Sequence, residues 1–354
     1  MGDTETEKKK KRQLPGDQKT RIFELARQLT SFCCPTGFED AIRTFLVSRL
    51  KITCNVQTDR MGNVIAGIQG TAPSPRKRIM LSAHLDEIGF MVSYITKDGF
   101  LRIAPLGGQN PRVLAGQRVI VTSSKGEFRG VIAEKPIHLL DEDDRKKLVK
   151  QDELFVDIGA SSKEDALEIV NIGDFITFQP QCEWLGKGDV FSCKAADNRI
   201  GVLVLLLALE HLAANPPFWD VTGVFSTQEE IGVRGITTST YNVDPDAAIV
   251  LETTHAIDYP GISREKFGDM DLHAGPGITI GPNLHPRLVK HVMKTAESCQ
   301  IPFQVRVTSG LASNEARQIQ VTRKGVATAL ITVPLRYMHT NIEAVSPVDI
   351  NDAL

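Results

Sequence analysis

No apolar run among these 354 residues is long enough to span a bilayer. The longest, Ile200–Leu209 (IGVLVLLLAL), suits a buried helix, so no membrane association is expected. An excess of one charge is also lacking. The chain has 41 Lys and Arg against 43 Asp and Glu, a formal net charge of -2. That balance argues against a nucleic-acid partner held by a broad basic field. None of the six cysteines stands in a CxxC pair, and no signal-like stretch precedes them. They read as reduced thiols of a cytosolic, cytoplasmic protein. Several catalytic signatures are missing too. There is no P-loop, no GxGxxG fingerprint, no GxSxG elbow and no HExxH helix. Nucleotide chemistry, the serine-elbow hydrolases and the common single-zinc protease plan are thereby disfavoured.

With 24% charged and 42% hydrophobic residues, the chain matches an ordinary globular protein of about two domains or one large one. Residues 1–17 are polar and unpatterned and read as a disordered tail. MGDTET fits a loose myristoylation pattern, and KKKKR fits a basic surface patch, but a solvated tail explains both.

Residues 18–88 open with two amphipathic helices, KTRIFELARQLTSF and FEDAIRTFLVSRL, broken at CCPTG. A hairpin around Gly62 and a buried strand, RIMLSA, follow. Residues 89–182 change character: short β-like runs are separated by turns such as Lys97-Asp98-Gly99 and Ser124-Lys125-Gly126. Within them only residues 141–154 (DEDDRKKLVKQDEL) and SKEDALEIV look helical. Residues 183–354 return to alternating helices and strands. The pattern predicts an α/β fold with a mixed, mostly parallel sheet, helices on both faces, and an inserted β-barrel-like domain.

Chemistry gathers where the apolar strands end. RIMLSA leads into His84 and Asp86, VTGVFSTQ into Glu229 and Glu230, and AAIVL into Glu252. ATALITVPLRYM leads into His339, and FSCKAA into Asp197 before a helix. The carboxyl ends of parallel strands share one edge, where ligand sites form. Two imidazoles with several carboxylates and no thiolate suit zinc, cobalt or manganese, and two such ions can share a carboxylate. His84 and Asp86 stand two apart and project to one face, so Asp86 can orient the imidazole. Taken singly, a His-x-Asp or an acidic pair is usually a satisfied side chain or a solvated turn. Five segments obeying one positional rule carry the weight. Cys193 lies near Asp197 but has no evident base and reads as a buried thiol.

At these residues the chain resembles metallopeptidase family 42, the tetrahedral and glutamyl aminopeptidases. The anchors are SAHLDEIGFMV, NPRVLAGQRV, FVDIGASSKEDA, KAADNRIG, STQEEIGVRG, LETTHAIDYPG and PLRYMHT, in this order, over nearly the whole chain. The resemblance implies a metalloaminopeptidase with two divalent ions, zinc or cobalt. His84, Asp197 and Glu252 would hold one ion, and Asp197, Glu230 and His339 the other. Glu229 would be the general base acting on an activated water, and Asp86 the partner of His84. The residues alone do not say which glutamate of the pair is the ligand. The partners implied are peptides with a free N-terminus and further copies of the chain, paired through the β insert as a dimerisation domain and assembled into a dodecamer. The chain departs from the family pattern at Ala196 and Asn198, at LASNEARQIQ in place of a GTDA stretch, and in its short final helix. Competing readings are a glycoside hydrolase of endoglucanase type, which leaves both histidines without a task, and a non-catalytic assembly protein on the same fold. HAGPGITIGPNLHPR and TSGLASNEA are expected to line the substrate pocket. His255, His273 and His285, in or near these segments, carry no assigned role.

Overall fold

The computed structural model describes residues 12–139, 141–142, 147, 150–310 and 314–354. Helices α1 (Gly16–Thr30) and α2 (Asp40–Leu50) form because apolar side chains recur at helical spacing. Ile22, Leu25, Ala26 and Leu29 of α1, and Ile42, Leu46 and Leu50 of α2, are all buried. Strands β1 (Asn55–Thr58) and β2 (Val64–Ile68) make the expected antiparallel hairpin, with Gly62 at φ +91°. Strand β3 (Arg78–His84) follows. The reading of residues 1–17 as a tail needs correction at its end. Helix α1 already begins at Gly16, and Arg12 donates to both carboxylate oxygens of Asp352 at 2.6 and 2.8 Å. A bidentate pair of this kind fixes the segment geometrically. Residues 1–11, with MGDTET and most of KKKKR, lie outside the described residues.

The next six strands are β4 (Gly89–Ile95), β5 (Leu101–Leu106), β6 (Arg118–Ser123), β7 (Gly126–Ala133), β8 (Phe155–Asp157) and β9 (Phe175–Phe178). They close into an antiparallel barrel in the order β4-β5-β8-β7-β6-β9. Closure removes every free edge. Its interior is packed with Phe90, Val92, Leu101, Val119, Val121, Val156 and Ile176. The short helix α3 (Lys163–Leu167) is capped by Ser162, which accepts from the Asp165 N–H. Of the helix expected over 141–154, residues 143–146, 148 and 149 lie outside the described residues; the described remainder holds no α-helix, and Gln151–Glu153 form a 3-10 turn.

The rest of the chain supplies β10 (Cys182–Leu185), β11 (Val190–Cys193), α4 (Ala196–Ala214), β12 (Asp220–Ser226), α5 (Gly235–Val243), β13 (Ala247–His255) and α6 (Arg264–Phe267). It ends with β14 (Gly277–Ile280), α7 (Pro286–Ser298), β15 (Gln304–Val307), α8 (Ala316–Ile319), β16 (Ala327–Arg336), β17 (Glu343–Val345) and α9 (Pro347–Ala353). The large sheet runs β1-β2-β12-β3-β13-β16-β17-β11-β10, with β14 and β15 attached beside β16. Its centre, β12-β3-β13-β16, is parallel. Strand β11 pairs antiparallel with β17, which pairs antiparallel with β16, so β11 runs in the central sense. Helices cover both faces, as predicted. Residues of α1, α2, α4 and α9 share one core, and residues of α5, α7 and α8 share another. Strand β3 serves both: Ala83 faces the first core and Met80 the second, as a period of two requires. Helix α4 is apolar nearly all round because it is buried nearly all round. Among the described residues, no helix is long and apolar enough to cross a membrane.

Candidate metal centre

Four parallel strands and β11 bring their ends to one sheet edge. His84 is the last residue of β3. Glu229 and Glu230 lie in the turn after β12, His339 follows β16, and Asp197 follows β11. Glu252 differs slightly from expectation: it stands inside β13, opposite Thr332, and the strand continues to His255. The sheet thus gathers all six side chains, together with Asp86.

His84 Nε2 lies 3.4 Å from Asp197 Oδ1 and 3.6 Å from Glu252 Oε1. His339 Nε2 lies 3.3 Å from Asp197 Oδ2 and 3.5 Å from Glu230 Oε1. The two oxygens of Asp197 therefore face two different imidazoles. These separations exceed the about 2.7–2.9 Å of a charge-assisted hydrogen bond. They match the roughly 3.4 Å edge of a tetrahedron whose ligands sit about 2.0–2.2 Å from a central ion. Among the described residues, every group of three or more donors that could hold an ion lies in this cluster: His84 with Asp197 and Glu252, Asp197 with Glu230 and His339, and His84 with Glu229 and Glu230. The donor set of imidazole and carboxylate fits zinc, cobalt or manganese.

A second layer of contacts fixes the donors. Asp86 Oδ1 approaches His84 Nδ1 at 3.4 Å, and the Asp86 carbonyl lies 3.2 Å from the same nitrogen. The Asp86 carboxylate also accepts from the backbone N–H groups of Glu229 and Glu230, both at 3.0 Å. His339 Nδ1 sits 2.8 Å from the carbonyl of Gly108, in the loop after barrel strand β5. The barrel therefore reaches the site directly. Glu343 Oε1 accepts from the His339 N–H at 2.6 Å, and its Oε2 from the Asp197 N–H at 3.0 Å. Neither Glu343 nor Gly108 was singled out from the sequence. The signal for Glu343 is an acid within the short apolar stretch IEAV; Gly108 offered none.

Electrostatics show how strongly the cluster asks for cations. Burial pushes Glu229 up to about 7 against the pull of His84, and pushes Glu230 up to about 8 with Asp197 adding to it. Burial raises Glu252 well above its ordinary value. Burial opposes charge on His339, but Asp197 and Glu230 outweigh it and lift it to about 10. His84 rises likewise against burial, through Glu252, Asp197 and Asp86. Burial also opposes ionisation of Asp197, yet both imidazoles hold it below the usual carboxylate range. Backbone strain collects here too: Ala195, Gln228 and His339 have φ of 55°, 57° and 61°. Left-handed residues without glycine cost energy and mark loops held by their surroundings.

A cavity of about 430 Å³ opens beside the cluster. Thr279 comes from the first segment expected to line it, and Thr308 and Asn314 from the second. His255 lines it as well. His273 does not; its Nδ1 lies 2.9 Å from Ser346 Oγ. His285 precedes α7 at the N-cap position. Cys193 is buried, as expected.

The sequence profile of the family described as M42 glutamyl aminopeptidase matches residues 62–354. The chain is 34% identical over 336 residues to a lysyl aminopeptidase of Pyrococcus furiosus, covering 94% of each. Its fold matches the crystal structure of a TET aminopeptidase from a marine sediment archaeon (Thaumarchaeota) with a TM-score of 0.88, at 35% identity over 94% of both chains. It matches the Pyrococcus horikoshii TET1 peptidase, described as able to assemble into a tetrahedron or a large octahedral shell, with a TM-score of 0.82, at 30% identity over 93% of this chain and 96% of that one.

Proposed function

Because this chain belongs to the M42 glutamyl aminopeptidase family of peptide hydrolases, we propose that it removes N-terminal residues from peptides at the His84–Asp197–His339 centre. The observation that carries this reading is Asp197, whose two oxygens face two imidazoles at 3.4 and 3.3 Å. His84, Asp197 and Glu252 would hold one divalent ion, and Asp197, Glu230 and His339 a second. Zinc or cobalt suits the donors. Ions bound there would polarise the scissile carbonyl and make an attacking water more acidic.

The remaining steps belong to the chain's own side chains. Glu229, beside the proposed ligands but outside both sets, takes a proton from the attacking water as its oxygen bonds to the carbonyl carbon. The same carboxyl then donates that proton to the departing amine as the C–N bond breaks. Asp86 holds the His84 ring and the turn carrying Glu229. A glycosidase reading would need two carboxylates flanking a sugar bond and no imidazole, whereas both histidines here sit within the cluster. Residues 89–182 would form an inserted dimerisation domain between catalytic segments 18–88 and 183–354. The assembly described for the TET1 relative supports self-association here, and a cytoplasmic setting suits the unpaired thiols.

The test is a panel of aminoacyl p-nitroanilides with N-acetylated controls, run on zinc- or cobalt-loaded protein. Free-amine substrates should be cleaved and blocked ones should not. Equal rates on both would sink the aminopeptidase reading.

A further inference from the structure

Family membership does not choose the residue removed. The family's description refers to glutamate, whereas the relative from Pyrococcus furiosus is a lysyl aminopeptidase. One side chain in the cavity does bear on the choice. Arg306 of β15 lines the cavity beside the metal centre. Among the described residues its guanidinium has no carboxylate within ion-pair distance. Its one hydrogen bond is donated to the neutral Thr254 Oγ1. Burial pulls its pKa below the ordinary value, and its charge helps hold the neighbouring His255 below its ordinary value, after burial.

A half-buried guanidinium left without an anion is costly unless an anion arrives. The polar groups around it fit such a guest. Thr279 is 2% exposed and lines the same cavity, and its hydroxyl has no hydrogen-bond partner among the described residues. Thr308 and Asn314 add further polar side chains to the wall. At the metal centre the wall is instead made by Glu229, Glu230 and Glu252. One cavity thus holds carboxylates in one part and an unpaired cation in another. That polarity matches an amino acid with an α-amine and a side-chain carboxylate. It opposes a lysine side chain, which Arg306 would repel.

We propose that Arg306 is a specificity-determining residue that accepts the side-chain carboxylate of an N-terminal glutamate or aspartate. Thr279 supplies a second donor. The assignment rests on the aminopeptidase reading of the adjoining centre.

The test compares kcat/KM for the p-nitroanilides of Glu, Leu and Lys on metal-loaded full-length protein. It also measures binding of free L-glutamate and L-lysine by calorimetry, a readout independent of turnover. Wild type should favour Glu over both others and bind L-glutamate more tightly than L-lysine. In Arg306→Gln the Glu-to-Leu ratio should fall about tenfold to a hundredfold, the usual worth of a charged hydrogen bond. Arg306→Lys should restore part of that ratio. Faster cleavage of Leu or Lys by the wild type overturns the assignment of Arg306 and leaves the aminopeptidase reading standing. An equal loss on all three substrates in Arg306→Gln also overturns it, since the residue would then act on something common to every substrate or on the fold. Cleavage of none of the three removes the aminopeptidase reading and this proposal with it.

Discussion

The carboxylate of Asp86 accepts the backbone N–H of Glu229 at 3.0 Å while its Oδ1 lies 3.4 Å from His84 Nδ1. One buried group thus ties the end of β3 to the turn after β12. The proposed base and a proposed ligand are set by the same anchor. Asp86→Asn should weaken metal binding about 10- to 100-fold, the usual effect of removing such a partner. Competitive chelator titration measures it. Unchanged metal affinity would show that the His84 ring is held by other means.

Glu229 should separate chemistry from metal binding. Glu229→Gln keeps the shape but cannot accept the proton, so turnover should fall about 10²- to 10⁴-fold. Metal content by elemental analysis should stay at the wild-type level. Near-normal turnover would remove Glu229 as the base, and loss of metal would make it a ligand.

Glu343 tests the support of the centre from behind. Glu343→Ala leaves the N–H groups of Asp197 and His339 without their acceptor, in a place where Glu343 itself is 1% exposed. Orphaned buried donors cost about 1–3 kcal/mol each. Urea unfolding should show a loss of about 2–6 kcal/mol, from that per-group cost for two donors, together with weaker metal retention. A loss below experimental error would mean that water satisfies both donors.

Metal removal should act on activity and stability together. Dialysis against a chelator should abolish cleavage, and zinc or cobalt should restore it. Added metal should raise the thermal midpoint in a concentration-dependent way, because only the folded chain presents the assembled donors. Activity that survives exhaustive chelation would contradict the centre as described.

Asp349 predicts a pH dependence remote from that centre. Burial pushes its carboxyl up to about 7, against the hydrogen bonds it accepts from His273 and Gly275 and the nearby charge of Arg12; Asp352 adds to the rise. The folded chain then holds a proton that the unfolded chain releases between the ordinary carboxylate value and about 7. This contribution is therefore most favourable at low pH and declines as pH rises through 7. Asp349→Asn should flatten the fall in unfolding free energy between about pH 4 and 7, the window in which the linkage acts. Parallel curves for the two proteins would place its carboxyl near the ordinary value.

Much of this centre was legible before any coordinates. His84, Glu229, Glu230 and His339 were found because each follows an apolar strand, and parallel strands end together. Glu252 was found by the same rule although it lies within its strand. Which glutamate would bind and which would carry protons is implied only by the resemblance, since neighbours in one turn look alike to any pattern. Glu343, Gly108 and Arg306 escaped. Gly108 meets His339, and Glu343 meets Asp197, across long stretches of sequence, while Arg306 has no carboxylate within ion-pair distance among the described residues; periodicity carries no trace of either. The end of the supposed tail escaped for the same reason: Arg12 meets Asp352 across 340 positions.

The sequence by itself determined the elements and the edge at which they deliver their reactive groups, because strand period, helix period and turn chemistry are local. Only the tertiary structure decided which oxygen of Asp197 faces which imidazole, that the barrel lends the Gly108 carbonyl to His339, and that Arg306 sits in the cavity with no carboxylate within ion-pair distance among the described residues. Those are matters of distance and burial between remote segments, and only the packed sheet and barrel set them.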